Sequence, residues 1–469
     1  MSMKVFRAWK VAAVVLVVAA AAGLAAVYTR SNRDVTTSSE AAYQAWQEAI
    51  QNERRFYFKE ARLGFARALE LDPQFAMAMI GLARNSDTDQ RIALVKRAAG
   101  ERSRLNEHER FHIDLVQADL DHDEARFIET AEKIHAKYPD DIRAAQILAG
   151  RAMRTQKSEE ALRIFAEVLA IDPNNADAYN QIGYYYGYRG DYDRAIENLK
   201  RYQFMAPDQA NPYDSLGEIM ANSGHYDEAI ENLNKALALK PDFYESYGHL
   251  GVAYLGKGET ARAIEMYKRA SKESVNQAGA IDYLVRAYRT AAFSGDAAAA
   301  QELFGMIEKV PHDKSLDAQW EIGREAAKAV LLSIEGRHGQ AEAALLAVKP
   351  KWDAEFAKSN KNTSYKPYWA FYNCLLAKTR AAQGKTDEAI ALYEQMVNPP
   401  NPWGDFEGRR WVYEARASLA ELLARKGELD RADKLLAENH KWNPSWAPSR
   451  AAELVVAEAH RERVQAASK

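Results

Sequence analysis

His108-Glu109-Arg110-Phe111-His112 is the stretch of this 469-residue chain whose residue types and spacing could do chemistry. On a helix, histidines at i and i+4 share a face and can hold zinc, while the intervening glutamate polarises a water for hydrolysis. Glu129 or Glu132, on the next helical pattern, would be the third ligand. The setting is wrong for that chemistry. A hydrolytic helix of this kind is buried, with uncharged flanks and middle positions. Here Glu107 precedes, Arg110 sits inside and Asp114 follows. Leu105-Asn106 reads as a helix start, which puts both histidines in an exposed first turn or two. The expectation is a solvated helix start, with no catalytic residue, no metal and no cofactor. A zinc-dependent hydrolase built on residues 108–112 stays as the remote alternative.

Other chemistry is poorly served. No phosphate-binding glycine loop follows a strand, and no GxSxG occurs in a suitable setting. The single cysteine, Cys374, excludes an intramolecular disulfide framework and a cysteine-based zinc site. It lies in an apolar helical run and reads as a buried, inert thiol. The net charge of −3 includes five basic and no acidic side chains before residue 34, so the body is more acidic still. That balance lacks the basic stripe a nucleic-acid partner needs.

The elements that position these residues repeat. Gly183, Gly217 and Gly251 are each 34 residues apart, as are Gly190, Gly224 and Gly258, and Ala195, Ala229 and Ala263. Pro173, Pro207 and Pro241 close successive units at the same step. A fixed period in this range marks stacked repeats. Tyr179, Ile182, Gly183 and Tyr186 fall on one helical face. Gly190 ends that helix, a second carries Ala195, Leu199 and Tyr202 inward, and Pro207 ends the pair. One such hairpin cannot bury its apolar face alone and must stack on its neighbours. No β-type alternation appears, so the expected fold is all-α, with about eleven helix pairs.

The spacing resembles the tetratricopeptide repeat. Tyr247, Leu250-Gly251, Tyr254, Ala263, Tyr267 and Ala270 carry that pattern, as do Tyr213, Leu216-Gly217, Ala229, Leu233, Ala236 and Pro241. The regular match covers residues 142–275; LNEHERFHIDL and the helix after it are similar to a segment of bacterial membrane-linked members. The resemblance implies an α-α superhelix, or solenoid, whose first helices line a concave groove that binds a protein or peptide. Carried onto this chain, the groove positions are Arg143, Gln146, Arg154, Asp177, Asn180, Tyr184, Tyr188, Asn211, Asp214, Glu218, Asn222 and Glu245. Their acidic middle favours a partner segment bearing Lys or Arg. The family's Lys/Asn clamp for carboxylate tails is not matched.

Residues 11–28 hold no charge over 18 positions, after Lys4, Arg7 and Lys10 and before Arg30 and Arg33. This length just spans a bilayer as a helix, and the charge bias puts the N-terminus in the cytoplasm. A cleaved signal peptide and a buried soluble helix are the alternatives; a lipoprotein anchor is excluded because no cysteine lies nearby.

The expected layout is a cytoplasmic stub and transmembrane signal-anchor over 1–34 and degenerate helix pairs over 35–138. Regular repeats follow over 139–275, then irregular pairs with a capping helix over 276–469, which Ser449 would start. Two long connections, 349–369 and 398–411, place Trp352, Trp369, Trp403 and Trp411 on loops as possible interaction sites. The expected protein is a non-catalytic scaffold on a single span of a bacterial inner membrane, repeats facing the periplasm, or periplasmic or secreted after cleavage. Assembly of an envelope complex or a sensory role in a signalling system are both compatible.

Overall fold

Helix pairs account for nearly all the structure, a computed structural model that describes residues 35–86, 88–154, 158–275, 277–310, 317–358, 366–397 and 406–467. The expected membrane segment lies outside these residues. Among the described residues no helix is long and apolar enough to cross a membrane.

The 23 α-helices of the described residues form eleven pairs and a terminal helix. They are α1 (Glu40–Arg54), α2 (Phe58–Leu71), α3 (Ala76–Arg84), α4 (Thr88–Gly100), α5 (Glu107–Leu120), α6 (Glu124–Lys137), α7 (Ile142–Arg154) and α8 (Ser158–Ile171). Then come α9 (Ala176–Tyr188), α10 (Tyr192–Met205), α11 (Ala210–Asn222), α12 (Tyr226–Leu239), α13 (Tyr244–Gly256), α14 (Thr260–Glu273), α15 (Gln277–Ser294) and α16 (Ala297–Ile307). The last are α17 (Asp317–Ile334), α18 (His338–Lys358), α19 (Lys366–Ala382), α20 (Thr386–Val397), α21 (Phe406–Arg425), α22 (Leu429–Trp442) and α23 (Ala447–Ala467). They fall into two compact units, Met1–Leu148 and Ala149–Lys469.

Local chemistry explains the pairs. Gly190, Gly224, Gly258, Gly295, Gly336, Gly384 and Gly427 all sit at positive φ between the helices of a pair. There a Cβ would crowd the backbone, and glycine carries no such cost. In the degenerate first unit, Phe56 and His122 take positive φ at two of these turns instead. The tyrosine that opens each regular unit also ties it to its predecessor. Tyr179, Tyr213 and Tyr247 donate from their hydroxyls to the Pro173, Pro207 and Pro241 carbonyls at 3.3, 3.1 and 3.1 Å.

Unit 1 packs around Trp46, Phe65, Phe75, Met79 and Ile80. Its first described residues are pinned by hydrogen bonds: Thr37 Oγ1 donates to Asp72 at 2.6 Å, and Thr36 donates to Glu109 from both N and Oγ1.

In unit 2 the first helices of neighbouring pairs touch, α9 with α11 and α11 with α13, whereas the second helices make no comparable contact. That difference puts the first helices on the inner face. Small residues permit the approach within each pair: a Cβ on Gly217 would stand 2.6 Å from Leu233 Cγ. Unit 2 is not an open stack, however. Its C-terminal helices return to the turns of the regular repeats. Tyr226 donates to Asn443 Oδ1 at 2.8 Å, Asn443 Nδ2 donates to the Asn222 carbonyl at 3.2 Å, and Arg409 donates to the Gly187 carbonyl at 3.2 Å. Trp442 covers Gly190, and α23 packs on α13.

Three expectations are corrected here. Trp411 is on no loop. It is wholly buried in α21, its ring 5.1 and 5.3 Å from those of Phe293 and Phe371. The helix begins five residues before Trp411, which carries the indole into the core. The connection at 349–369 is mostly helical as well. α18 runs through Pro350, and a Lys349–Asp353 ion pair at 2.6 Å spans the proline. The backbones at Trp352 and Trp369 are thus helical, while their side chains and Trp403 lie outside the described residues. Ser449 does not start the last helix, which begins at Ala447; its buried hydroxyl accepts from Asn439 Nδ2 at 2.9 Å. Cys374 is buried as expected, and burial pushes its thiol up.

Candidate functional site

The inner face of unit 2 is built from α9, α11 and α13. Because the repeat is 34 residues long, equivalent positions line up: Asp177 with Asn211 and Glu245, Asn180 with Asp214, Tyr184 with Glu218, Tyr188 with Asn222. Tyr184 donates to Glu218 Oε2 at 2.6 Å. Asp214 Oδ1 accepts from Ser246 at 2.7 Å and lies 3.0 Å from His249 Nδ1. His249 Nε2 is 3.5 Å from Glu218 Oε1. One imidazole therefore faces two carboxylates, and Glu245 stands close by. Burial opposes the charged ring, but Asp214 and Glu218 outweigh it and raise His249 to about 9. Burial pushes Glu245 up to about 7, against the hydrogen bond from Tyr244.

Several predicted groove residues are spent within the fold. Asn211 is buried and donates to the Tyr202 hydroxyl at 2.9 Å. Asp214 is 3% exposed and bridges α11 to α13. Asn222 donates to the Glu218 carbonyl at 2.9 Å. Tyr188 is half-buried beside Tyr184, ring centroids 6.0 Å apart. Two acceptors are left over: Asn180 Oδ1, on a residue 2% exposed, and Glu245 Oε2 have no hydrogen-bond partner. Orphaned buried acceptors of this kind invite a donor. His249 escaped the sequence reading because it falls one position off the column of Asp214.

Arg143 and Gln146 belong to unit 1, whereas the positions from Asp177 to Glu245 belong to unit 2, and the Arg154 side chain lies outside the described residues. Burial and the nearby Arg84 lower Arg143 to about 10, so it stays charged at neutral pH. Arg84 itself pairs with Glu53 through two bonds of 2.9 and 2.5 Å.

The HExxH helix is not the solvated start expected of it. Asn106 and Glu109 form a capping box on α5, as the Leu105-Asn106 signal suggested. Yet Glu109 is 1% exposed and the His112 side chain only 12%. Both histidines face Asp141, at the start of α7, and neither Glu129 nor Glu132 joins them. Glu129 instead pairs with Lys133.

A cavity of about 710 Å³ also lies within unit 2, between α15, α19, α21 and α23. Thr290, Phe293, Lys378, Arg410 and Glu414 line it. Burial lowers Lys378 and raises Glu414, and the opposite charges within the lining leave it mixed rather than basic.

Stacked helix pairs with a polar inner face define an interaction scaffold of the α-solenoid class. Three tetratricopeptide-repeat models match, over residues 164–197, 217–258 and 244–274. With the 34-residue period, they show that these residues are tetratricopeptide repeats.

The fold is similar to a chain in the APC/C hetero-tetramer Cut9–Hcn1, at 15% identity and a TM-score of 0.48, over 89% of this chain and 76% of that one. It is similar to PilW, a type IV pilus biogenesis factor, at 18% and 0.35, over 44% of this chain and 94% of that one. A tetratricopeptide repeat protein from Parabacteroides merdae shows 15% and 0.38, over 60% and 98%. At these TM-scores the likenesses say nothing about function. No curated protein matches the sequence.

Proposed function

We propose that this protein is a non-catalytic scaffold that holds a Lys- or Arg-bearing segment of a partner protein on the inner face of unit 2. The observation that carries this reading is the excess of acceptors there. Asp214 and Glu218 outnumber His249, the one basic side chain on α9, α11 and α13, Glu245 ionises beside them near neutral pH, and Asn180 Oδ1 and Glu245 Oε2 are buried without a donor. A basic side chain or an extended peptide backbone supplies the missing N–H groups. Tyr184 and Tyr188 offer ring faces to the same segment. On the sequence reading, residues 11–28 tether the scaffold to a bacterial inner membrane with its repeats in the periplasm, where it serves assembly of an envelope complex.

Fluorescent peptides of equal length, one basic, one neutral and one acidic, test this by anisotropy on the full chain. The basic peptide should bind most tightly and lose affinity with added salt. Glu218→Gln combined with Glu245→Gln should weaken it about tenfold or more. Equal binding of all three peptides, or no effect of the double variant, contradicts the reading. Charge reversal at Asp214 is unsuitable, because that carboxylate holds α13 through Ser246.

A further inference from the structure

We propose that His108, His112 and Asp141 form a binding site for one divalent transition-metal ion of the zinc, cobalt or nickel type, independent of the peptide-binding reading. Three ligand atoms converge on one point. His108 Nε2 is 2.9 Å from Asp141 Oδ2, His112 Nε2 is 3.1 Å from the same oxygen, and the two nitrogens are 3.2 Å apart. Ligand atoms about 2.0–2.1 Å from a metal stand roughly 2.9 Å apart at octahedral angles and 3.3 Å at tetrahedral ones. The observed triangle falls between these values, so an ion about 1 Å above its plane meets all three atoms with little movement. As hydrogen bonds alone the arrangement is poor. Both nitrogens approach one oxygen from nearly the same side, at an acute angle to each other.

The atoms are also held in place. α5 puts the two histidines one turn apart on a single face. The Tyr138 ring lies on His108, centroids 4.1 Å apart. Asp141 Oδ1 accepts from Ala144 N at 2.9 Å as the cap of α7, which leaves Oδ2 facing the imidazoles. Such outer bonds are what orient metal ligands. The side chains of His108, His112 and Asp141 are 29%, 12% and 8% exposed, so an ion can enter past His108. Two imidazoles and one carboxylate suit late first-row metals rather than calcium or magnesium. Arg84 and Arg143 stand near and weaken the affinity, and Glu53 offsets them in part.

The site is not a hydrolase in waiting. Glu109 accepts from Thr36 N at 2.7 Å, Thr36 Oγ1 at 2.6 Å and Asn106 N at 3.0 Å, and it is buried. It cannot turn toward a metal-bound water without breaking the cap of α5. The ion would tie the start of α7 to α5 and raise the stability of that joint.

The test uses the full chain, purified without a histidine tag, stripped with chelator and titrated with Co²⁺ or Zn²⁺. One equivalent should bind, with visible cobalt bands and a higher melting temperature. His108→Ala and His112→Ala should each weaken binding at least tenfold while helicity is kept. Asp141→Asn, which retains a capping oxygen, should do the same. Absence of stoichiometric binding by the folded wild type would falsify the site. So would unchanged binding in the double histidine variant, which would place the ion elsewhere.

Discussion

Replacing Asn443 by alanine should open unit 2. Asn443 is 4% exposed and lies more than 200 residues from its partners. Its Oδ1 accepts from the Tyr226 hydroxyl at 2.8 Å, and its Nδ2 donates to the Asn222 carbonyl at 3.2 Å. A third contact, to the Ala221 carbonyl at 3.4 Å, is long and counts for little. Alanine leaves a buried hydroxyl and a helix-terminal carbonyl without partners. Each orphan costs about 1–3 kcal/mol when water cannot reach it, giving about 2–6 kcal/mol in all. Part of that cost is recovered if the C-terminal helices lift away and admit water. The perturbation should therefore appear as local opening before global unfolding. Hydrogen exchange on the full chain is the assay. Faster exchange is expected at the turns near 187–190, 221–226 and 256–260, with α1–α6 unaffected. Asn443→Asp keeps the acceptor for Tyr226 but loses the donor, and should lie between wild type and alanine. If exchange at those turns is unchanged in the alanine variant, the return of the C-terminal helices does not hold the repeats, and the closed description of unit 2 fails.

Other outcomes follow from single positions. His249 is raised to about 9 from an ordinary 6.5 by Asp214 and Glu218, against the opposing effect of burial. A group whose folded value is raised stabilises fully below its unfolded value and loses that contribution as pH climbs through the folded one. Thermal stability of unit 2 should thus fall by about 1–3 kcal/mol between pH 6.5 and 9.5, and His249→Gln should flatten the profile; equal slopes for both proteins would sink this. Gly217→Leu should destabilise by about 1–3 kcal/mol, read from denaturant melts, because the new Cβ lands on Leu233 and near the Ala229 carbonyl. His122→Gly should stabilise unit 1 by about 1 kcal/mol, since φ at His122 is 53°; a loss of stability would show that the imidazole contributes more than the backbone costs.

What could be read from residues alone was whatever the 34-residue period encodes. Gly190, Gly224 and Gly258 marked turns that proved to need positive φ, and Ala195, Leu199 and Tyr202 marked a face that proved buried. These are contacts between neighbours in sequence, and a repeat states them once per unit. Contacts that depend on accumulated curvature were not legible. Nothing about Asn443 or Arg409 announces that it meets residues 222 positions away. Asp141 looked only like a helix cap, and its second oxygen acquires meaning from α5 lying beside it. Trp411 was misplaced because proline-rich residues before it hid the early start of α21. The groove positions from Asp177 to Glu245, carried over from the family pattern, fall on the inner-face helices α9, α11 and α13, but several are already bonded within the fold. A pattern records which residues point inward, not whether a neighbour such as Ser246 or Tyr202 already satisfies them.

Site-specific photo-crosslinking in cells tests the central claim most directly. A crosslinking side chain at Tyr188 or Asn222, on the inner face, is compared with one at Lys200 or Lys235 on second helices. The account predicts adducts from 188 and 222 alone, formed on a partner segment that bears Lys or Arg. Adducts formed equally from positions 200 and 235, or an acidic partner segment at 188 and 222, would contradict it.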